Sequence, residues 1–175
     1  MPMKKLACAL TLYLIPAAAT ASHFGIGQGM NISALKILEK SGQKTYRVRV
    51  PEPNSNFESY WVMATPSTGV CAVYGETKSY STWSEAKAKR ESIANLLTKY
   101  GKPTHVKPNL DYATLSVRPP VEAYDLEWRK LAAPLSAVSL DVVGRDGGQI
   151  VRLTYFFRNM AQCHTWEPGQ DRRGL

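Results

Sequence analysis

Three serine–lysine pairs have the spacing that could make a serine nucleophilic. In penicillin-binding enzymes, a Ser-x-x-Lys sequence places the hydroxyl one helical turn from a lysine amine. The match recurs three times in a chain of 175 residues, and the partner motifs Ser-Asp-Asn and Lys-Thr-Gly are missing. Chance spacing therefore explains the matches better than catalysis does. The pairs are Ser33 with Lys36, Ser41 with Lys44, and Ser84 with Lys87.

A small acidic group is the second candidate for chemistry, because neighbouring carboxylates can act as general acid and base. It consists of Glu122, Asp125 and Glu127. Arg129 and Lys130 follow within the reach of one helical turn, which favours local ion pairing over catalysis. An envelope hydrolase that uses this acidic group is therefore an alternative and not the leading interpretation.

The remaining polar motifs do not predict a metal or a cofactor. His23, His105 and His164 are far apart in the sequence, and only His164 has a second plausible ligand beside it, Cys163. A disulfide would consume that thiol. The glycine-rich segment 25–29 resembles a phosphate-binding loop only superficially, because a dinucleotide site needs a preceding strand and a crossover unit.

Aromatic residues are numerous and suggest a surface that binds a partner. The chain has four tryptophans and nine tyrosines, and both types are favoured where a surface must bind. Tyr60 and Trp61 are adjacent on a predicted strand and must face opposite sides of it. We expect Trp61 and Trp83 in the core and Tyr60 on the outer face of the sheet. The candidate binding residues are Tyr60, Tyr112, Tyr124 and Trp128.

The amino-terminal sequence has the pattern of a secretory signal peptide. Lys4 and Lys5 precede an apolar run over residues 6–18, and small residues follow at 19–21. The run is too short for a comfortable membrane span. Cleavage after Ala21 would release a periplasmic or secreted protein without a transmembrane helix. The length that remains fits one α+β domain over 22–165 with a flexible tail over 166–175.

The cysteines and the net charge agree with an exported protein. Cys8 lies in the apolar run, so Cys71 and Cys163 remain, and two cysteines in an oxidising compartment usually form a disulfide. The chain carries 22 Lys and Arg against 14 Asp and Glu, a net charge of +8. Loss of Lys4 and Lys5 would leave 20 against 14, or +6. Anionic envelope components are possible partners of such a chain, and export disfavours nucleic acid.

Hydrophobic periodicity predicts the elements that carry these residues. Asn31 as an N-cap and Gly42 as a C-terminal cap predict a helix over 32–41, and a strand follows from Thr45. Two hairpins are predicted, over 57–80 and over 136–158. The capping box from Thr82 to Glu85 opens a long helix.

Residues 104–120 are predicted to be a loop, and residues 120–131 a further short helix. The sum is an α+β fold. We expect an antiparallel sheet of about five strands with two to three helices on one face.

Two short segments resemble known exported proteins. Phe24-Gly25-Ile26-x-x-Gly29-Met30-x-x-x-x-Leu35 and Lys99-Tyr100-Gly101-Lys102-Pro103 look like segments of small exported Gram-negative proteins of unassigned function. The Gly-Met-x-x-x-x-Leu opening and the Gly-Lys-Pro that ends a helix are also similar to the β-lactamase-inhibitor-like and outer-membrane-assembly lipoprotein fold. That resemblance implies two helices on an antiparallel sheet and a role in binding other proteins. It assigns no functional residue.

The sequence therefore predicts a periplasmic, non-enzymatic protein-binding module, such as an inhibitor, an immunity factor or an envelope accessory protein. Its partner would be another envelope or exported protein. The alternatives are the hydrolase described above and a binder of anionic lipid or glycan.

Overall fold

One antiparallel sheet dominates the part of the chain that the structure describes. The computed structural model describes residues 23–108, 124–145 and 147–167. In these residues the sheet has eight strands in the order β1-β2-β3-β4-β8-β7-β6-β5. The strands are β1 (Lys36–Ser41), β2 (Thr45–Arg49), β3 (Ser59–Thr65), β4 (Gly69–Glu76), β5 (His105–Pro108), β6 (Tyr124–Arg129), β7 (Leu135–Arg145) and β8 (Gly148–Phe157).

Two α-helices and two 3-10 turns accompany the sheet in these residues. They are α1 (Trp83–Leu96), α2 (Met160–Thr165), and 3-10 turns over Ile32–Ala34 and Thr98–Tyr100. Neither α-helix is long and apolar enough to cross a membrane.

The strand order divides the sheet into two four-stranded meanders that meet where β4 pairs with β8. Helix α1 follows the first meander and packs on β7 and β8 of the second. Helix α2 follows the second meander and contacts β3 and β4 of the first. Each helix therefore links the meander that precedes it to the other one.

The hydrophobic core lies between the sheet and α1. Successive side chains of a strand point to opposite faces, and the face towards α1 carries Val62, Val73, Leu140 and Tyr155 with other buried residues. We call this side the helix face. Ala86, Arg90 and Ile93 of α1 are buried. The amino-terminal segment adds Ile26, which is fully buried.

The prediction of about five strands with two to three helices was wrong, because predicted helical segments are strands. Residues 32–41 form one 3-10 turn and then strand β1. Asn31 does cap, and its side chain accepts a hydrogen bond from the Ser33 amide. Gly42, with φ +74, serves the turn between β1 and β2 and not a helix C-cap. Both motifs need a left-handed residue, so the glycine did not distinguish them.

The predicted helix over 120–131 was also wrong where the structure describes it. Tyr124–Arg129 forms strand β6, which pairs with β5 on one side and β7 on the other. Leu126 and Trp128 alternate with charged neighbours at a period of two, which is the spacing of a half-buried strand. Four residues of the predicted loop form β5, and residues 109–123 lie outside the described part.

Both predicted hairpins and the long helix are confirmed. Strands β3 and β4 pair from Ser59 with Glu76 to Thr65 with Gly69, and β7 pairs with β8. The Thr82 hydroxyl accepts from the Glu85 amide while the Glu85 carboxylate accepts from the Thr82 amide, so the predicted capping box forms.

The predicted disulfide is present and fixes α2. Cys71 in β4 is bonded to Cys163 in α2, across 92 residues. The Lys44 ammonium donates to the backbone carbonyls of Cys163 and His164, at the end of the helix where the carbonyls lack helical partners. The signal peptide predicted over 1–21 lies outside the described residues, as do residues 168–175 of the predicted tail.

Candidate functional site

The strand register aligns polar and aromatic side chains in rows on the face opposite α1. One row runs Ser59, Glu76, Arg152, Asp141 across β3, β4, β8 and β7. The next row on the same face runs Trp61, Tyr74, Thr154, Ser139 across the same strands. We call this side of the sheet the Trp61 face, defined by these eight residues.

A fully buried carboxylate organises the Trp61 face. Glu76 is 1% exposed although it carries a charge and lies at the end of a central strand. The Arg145 Nη2 donates to both carboxylate oxygens at 2.8 and 2.9 Å, and Arg152 donates through Nε at 3.0 Å. The Trp61 Nε1 adds a bond of 3.0 Å and the Ser59 hydroxyl one of 3.2 Å.

This arrangement, the Glu76 network, consists of Glu76, Ser59, Trp61, Arg145 and Arg152. It satisfies both oxygens of the carboxylate with charged and neutral donors. Burial of an ion is tolerated when it is paired and hydrogen-bonded in this way. The network therefore fixes the orientation of the side chains that bind Glu76.

Aromatic stacking extends the ordered surface beyond the network. The Trp61 indole and the Tyr74 ring are nearly parallel, with an interplanar angle of 7° and centroids 6.2 Å apart. The Arg152 guanidinium lies 5.1 Å from the centre of the Tyr74 ring, within the range of a cation–π contact. Trp61, Tyr74 and Arg152 are each only partly buried. They form a preorganised surface of residue types that are common at binding hot spots.

A cavity of about 250 Å³ lies beside this stack. Its lining includes Tyr74, Arg152, Asp141, Met63 and Phe156. Every residue that lines it belongs to a strand. Its walls combine three apolar residues with a larger number of polar or charged ones, a mixture found in recognition surfaces.

The Trp61 face carries a neutral phenol, that of Tyr74, and a partly exposed positive charge, that of Arg145. Burial raises the pKa of Tyr74, the arginines at 152 and 145 oppose the rise, and Glu76 adds to it. The Tyr74 hydroxyl is therefore protonated at neutral pH. The Arg145 side chain remains 47% exposed although its Nη2 binds Glu76. A carboxylate from another molecule can therefore still reach this guanidinium.

The predicted binding residues do not gather on this face. Tyr60 is buried on the helix face, where it contacts Phe24 edge to face and its hydroxyl donates to the Asn54 carbonyl. Trp61 takes the outer side, so the predicted orientation of this pair was reversed. Trp128 is 2% exposed, and its indole donates to the Gly101 carbonyl. Tyr112 and the side chain of Tyr124 lie outside the described part.

The residues first considered for catalysis do not assemble into a site where the structure describes them. Glu127 pairs with Arg129 at 2.8 Å on one strand, Glu122 lies outside the described residues, and Asp125 is placed only by its pairing with Lys107. Of the serine–lysine pairs, only Ser84 with Lys87 lies on an α-helix. In the described ranges, no three His, Cys, Asp or Glu side chains converge as metal ligands.

Sequence reasoning missed the Glu76 network, although one signal was present. Glu76 ends the otherwise uncharged run of β4, and a charged residue in a central strand requires a partner. Arg145 and Arg152 are 69 and 76 residues away in sequence. Only the register of β4 with β8 brings them to the carboxylate.

Comparisons with known protein families, with curated proteins and with solved structures found no match for this chain. The site is therefore interpreted from its own geometry.

Proposed function

We propose that this protein is an exported, non-enzymatic module that binds another envelope or exported protein through the Trp61 face. The observation that carries the proposal is the Trp61–Tyr74–Arg152 stack, held in place by a buried carboxylate, on a face with a cavity that only strand residues line. Tryptophan, tyrosine and arginine supply most hot-spot energy in protein interfaces. Rigid side chains also lose less entropy when a partner binds.

The charge of the face indicates the chemistry of the partner. Arg145 and Arg152 both bind the buried Glu76 carboxylate. Arg47 of β2 lies opposite Trp61 of β3 in the strand register. An exposed partner carboxylate could bind Arg145, while an apolar or aromatic side chain packs on Trp61 and Tyr74. The partner we propose therefore presents an acidic residue within an apolar patch, which also agrees with the positive net charge of this chain.

The disulfide supports export. A buried bond between Cys71 and Cys163 is typical of proteins that fold in an oxidising compartment.

The proposal is tested by capturing partners on the purified, oxidised protein and on two matched variants. Met63→Glu places a charge in the cavity of the Trp61 face. Leu96→Glu places the same charge on α1, where Leu96 is 60% exposed. We expect wild type and Leu96→Glu to retain the same envelope protein at low and moderate salt, and Met63→Glu to lose it.

Thermal unfolding of each variant is the control that checks whether the Met63→Glu protein is folded. Equal retention by all three proteins would contradict a partner on the Trp61 face. Retention that disappears for every protein at moderate salt would instead indicate a mainly electrostatic contact with an envelope polyanion.

A further inference from the structure

A second cavity, of about 510 Å³, lies on the opposite side of the sheet from the Trp61 face. The His23 ring stacks on Tyr155 of β8, and the neighbours of Tyr155 in that strand, Thr154 and Phe156, line the first cavity. We call the second one the His23 cavity. Its size is in the range of sites that hold small organic molecules. Its lining includes His23, Lys99, Tyr100, Lys130, Leu131 and Pro134.

The His23 ring forms part of the wall of this cavity and is held by stacking. Its ring lies 4.0 Å from the Tyr155 ring at an interplanar angle of 12°. Its Nε2 is buried and has no hydrogen-bond partner among the described residues. Burial, and secondarily the charge of Lys99, lower the pKa of His23 to about 4. The ring is therefore neutral at pH 7, and one tautomer can donate a hydrogen bond from Nε2.

Two exposed lysines give the cavity a positive rim. Lys99 follows α1 in a 3-10 turn, and its ammonium lies 5.0 Å from the centre of the Tyr100 ring. Lys130 follows β6 with a φ of +58, a left-handed conformation that is unfavourable for a lysine. None of the described residues that line the cavity is acidic. The rim therefore favours an anion.

The opposite wall is apolar and fixed by hydrogen bonds. Residues 131–135 form the turn into β7, in which the Leu135 amide donates to the Ala132 carbonyl. The Arg158 amide donates to the carbonyl of Pro134 at 3.0 Å. The 3-10 turn that carries Lys99 is joined to β6 by the bond from Trp128 to Gly101. The cavity is therefore preformed.

We propose that the His23 cavity binds a small organic anion with an apolar body, of the chemical class of a medium-chain carboxylate. Lys99 and Lys130 attract the carboxylate, and the His23 ring forms part of the wall beside it. The apolar body packs against Leu131 and Pro134. This site is independent of the partner-binding role proposed for the Trp61 face.

Octanoate is a suitable probe, compared with acetate, which lacks the body, and with 1-octanol, which lacks the charge. Binding is measured at pH 7 by calorimetry on protein purified after expression of the full chain. The His23 ring signals are followed by NMR in the same titration. We expect octanoate to bind much more tightly than either control and to shift the His23 signals. Bound octanoate should also raise the pKa of His23, because a nearby negative charge favours the protonated ring.

Variants of the two rim lysines test whether their charges contribute to binding. The substitution at Lys130 is chosen to fit the backbone conformation there. Lys130→Asn removes the charge while an asparagine tolerates the positive φ. Combined with Lys99→Gln, this substitution should lower the affinity for octanoate at least about tenfold. Lys102→Gln makes the charge change of one rim substitution at an exposed position that does not line the cavity, and it should leave binding unchanged.

Three results would overturn the proposal. They are no binding of octanoate to wild type, equal binding of octanoate and 1-octanol, and equal weakening by the double variant and by Lys102→Gln. The wild-type His23 signals locate the ligand even if the double variant does not fold. Octanoate that binds without moving those signals would place the ligand elsewhere.

Discussion

At the scale of single residues, the buried Glu76 carboxylate requires several hydrogen-bond donors around it. Burying a charge in a central strand is costly unless its oxygens are satisfied, and in this protein five side-chain hydrogen bonds meet that need. An apolar residue would have avoided the cost. We attribute the presence of Glu76 to function, since its carboxylate orients Trp61 and Arg145 on the face that we propose binds a partner.

Removing the carboxylate should destabilise the protein strongly. Glu76→Ala leaves two arginines and an indole without their acceptor, and we expect it to lower the free energy of unfolding by about 3 kcal/mol. Glu76→Gln keeps one acceptor and the shape, so its cost should be about 1–2 kcal/mol. Glu39→Gln is the control, because its pairing with Arg47 is exposed. Urea unfolding measures all three, and equal stability of Glu76→Ala and Glu39→Gln would refute this role.

His23 should make the protein less stable in mild acid. The pKa of His23 is about 4 in the folded protein against an ordinary 6.5, so the unfolded chain takes up the proton first. Stability is then complete above about pH 6.5 and falls as the pH drops towards 4. The ring stacks on Tyr155, lies near Phe157, and is influenced by the charge of Lys99.

His23→Phe retains an aromatic ring against Tyr155 and cannot take up a proton. Its unfolding free energy should therefore decline less than that of wild type between pH 6.5 and 4.5, measured by urea unfolding at several pH values. Parallel declines of the two proteins would show that another group causes the acid sensitivity.

Elements were predictable from the sequence where one local signal dominated. The Thr82–Glu85 capping box and the turns of the two hairpins each specify one structure, and all three are confirmed. Gly42 fits a helix cap as well as a hairpin turn, so β1 was mistaken for a helix. Tyr60 and Trp61 are both large and aromatic, and which one faces the core depends on long-range pairing. The Glu76 network depends on the same pairing and was not predictable.

Edge strand β1 shows how the fold protects an exposed element. Lys36, Glu39 and Lys40 flank the exposed apolar residues Ile37 and Leu38, and the register with β2 shifts between Ile37 and Glu39. Charges and irregular register at an edge disfavour pairing with another sheet. We therefore place the partner on the Trp61 face and not at this edge.

The stability of the folded protein should depend on the disulfide that attaches α2 to β4. Closing 92 residues between Cys71 and Cys163 restricts the unfolded chain, and chain-entropy models give about 4 kcal/mol for such a loop. Urea unfolding with and without a reductant should show a loss of this order in wild type. The double variant Cys71→Ser/Cys163→Ser should match reduced wild type and not respond to reductant. Equal stability of reduced and oxidised wild type would contradict a stabilising role for the bond.

At the scale of the whole molecule, the two sides of the sheet have separate roles in our account. The helix face carries the core, α1 and the His23 cavity, whereas the Trp61 face carries an ordered aromatic and charged surface. The two helices link the meanders and support the long central strands. A rigid sheet of this kind presents side chains without reorganisation, which favours the binding of a partner.

The most direct test of a partner on the Trp61 face is site-specific photo-crosslinking in living cells. A photoreactive amino acid replaces Met63 on the Trp61 face or, as the matched control, Leu96 on α1. We predict one discrete crosslinked protein from position 63 and none from position 96. The crosslink from position 63 should disappear when Trp61→Ala is added. Crosslinks from position 96 alone, or from neither position, would contradict the account.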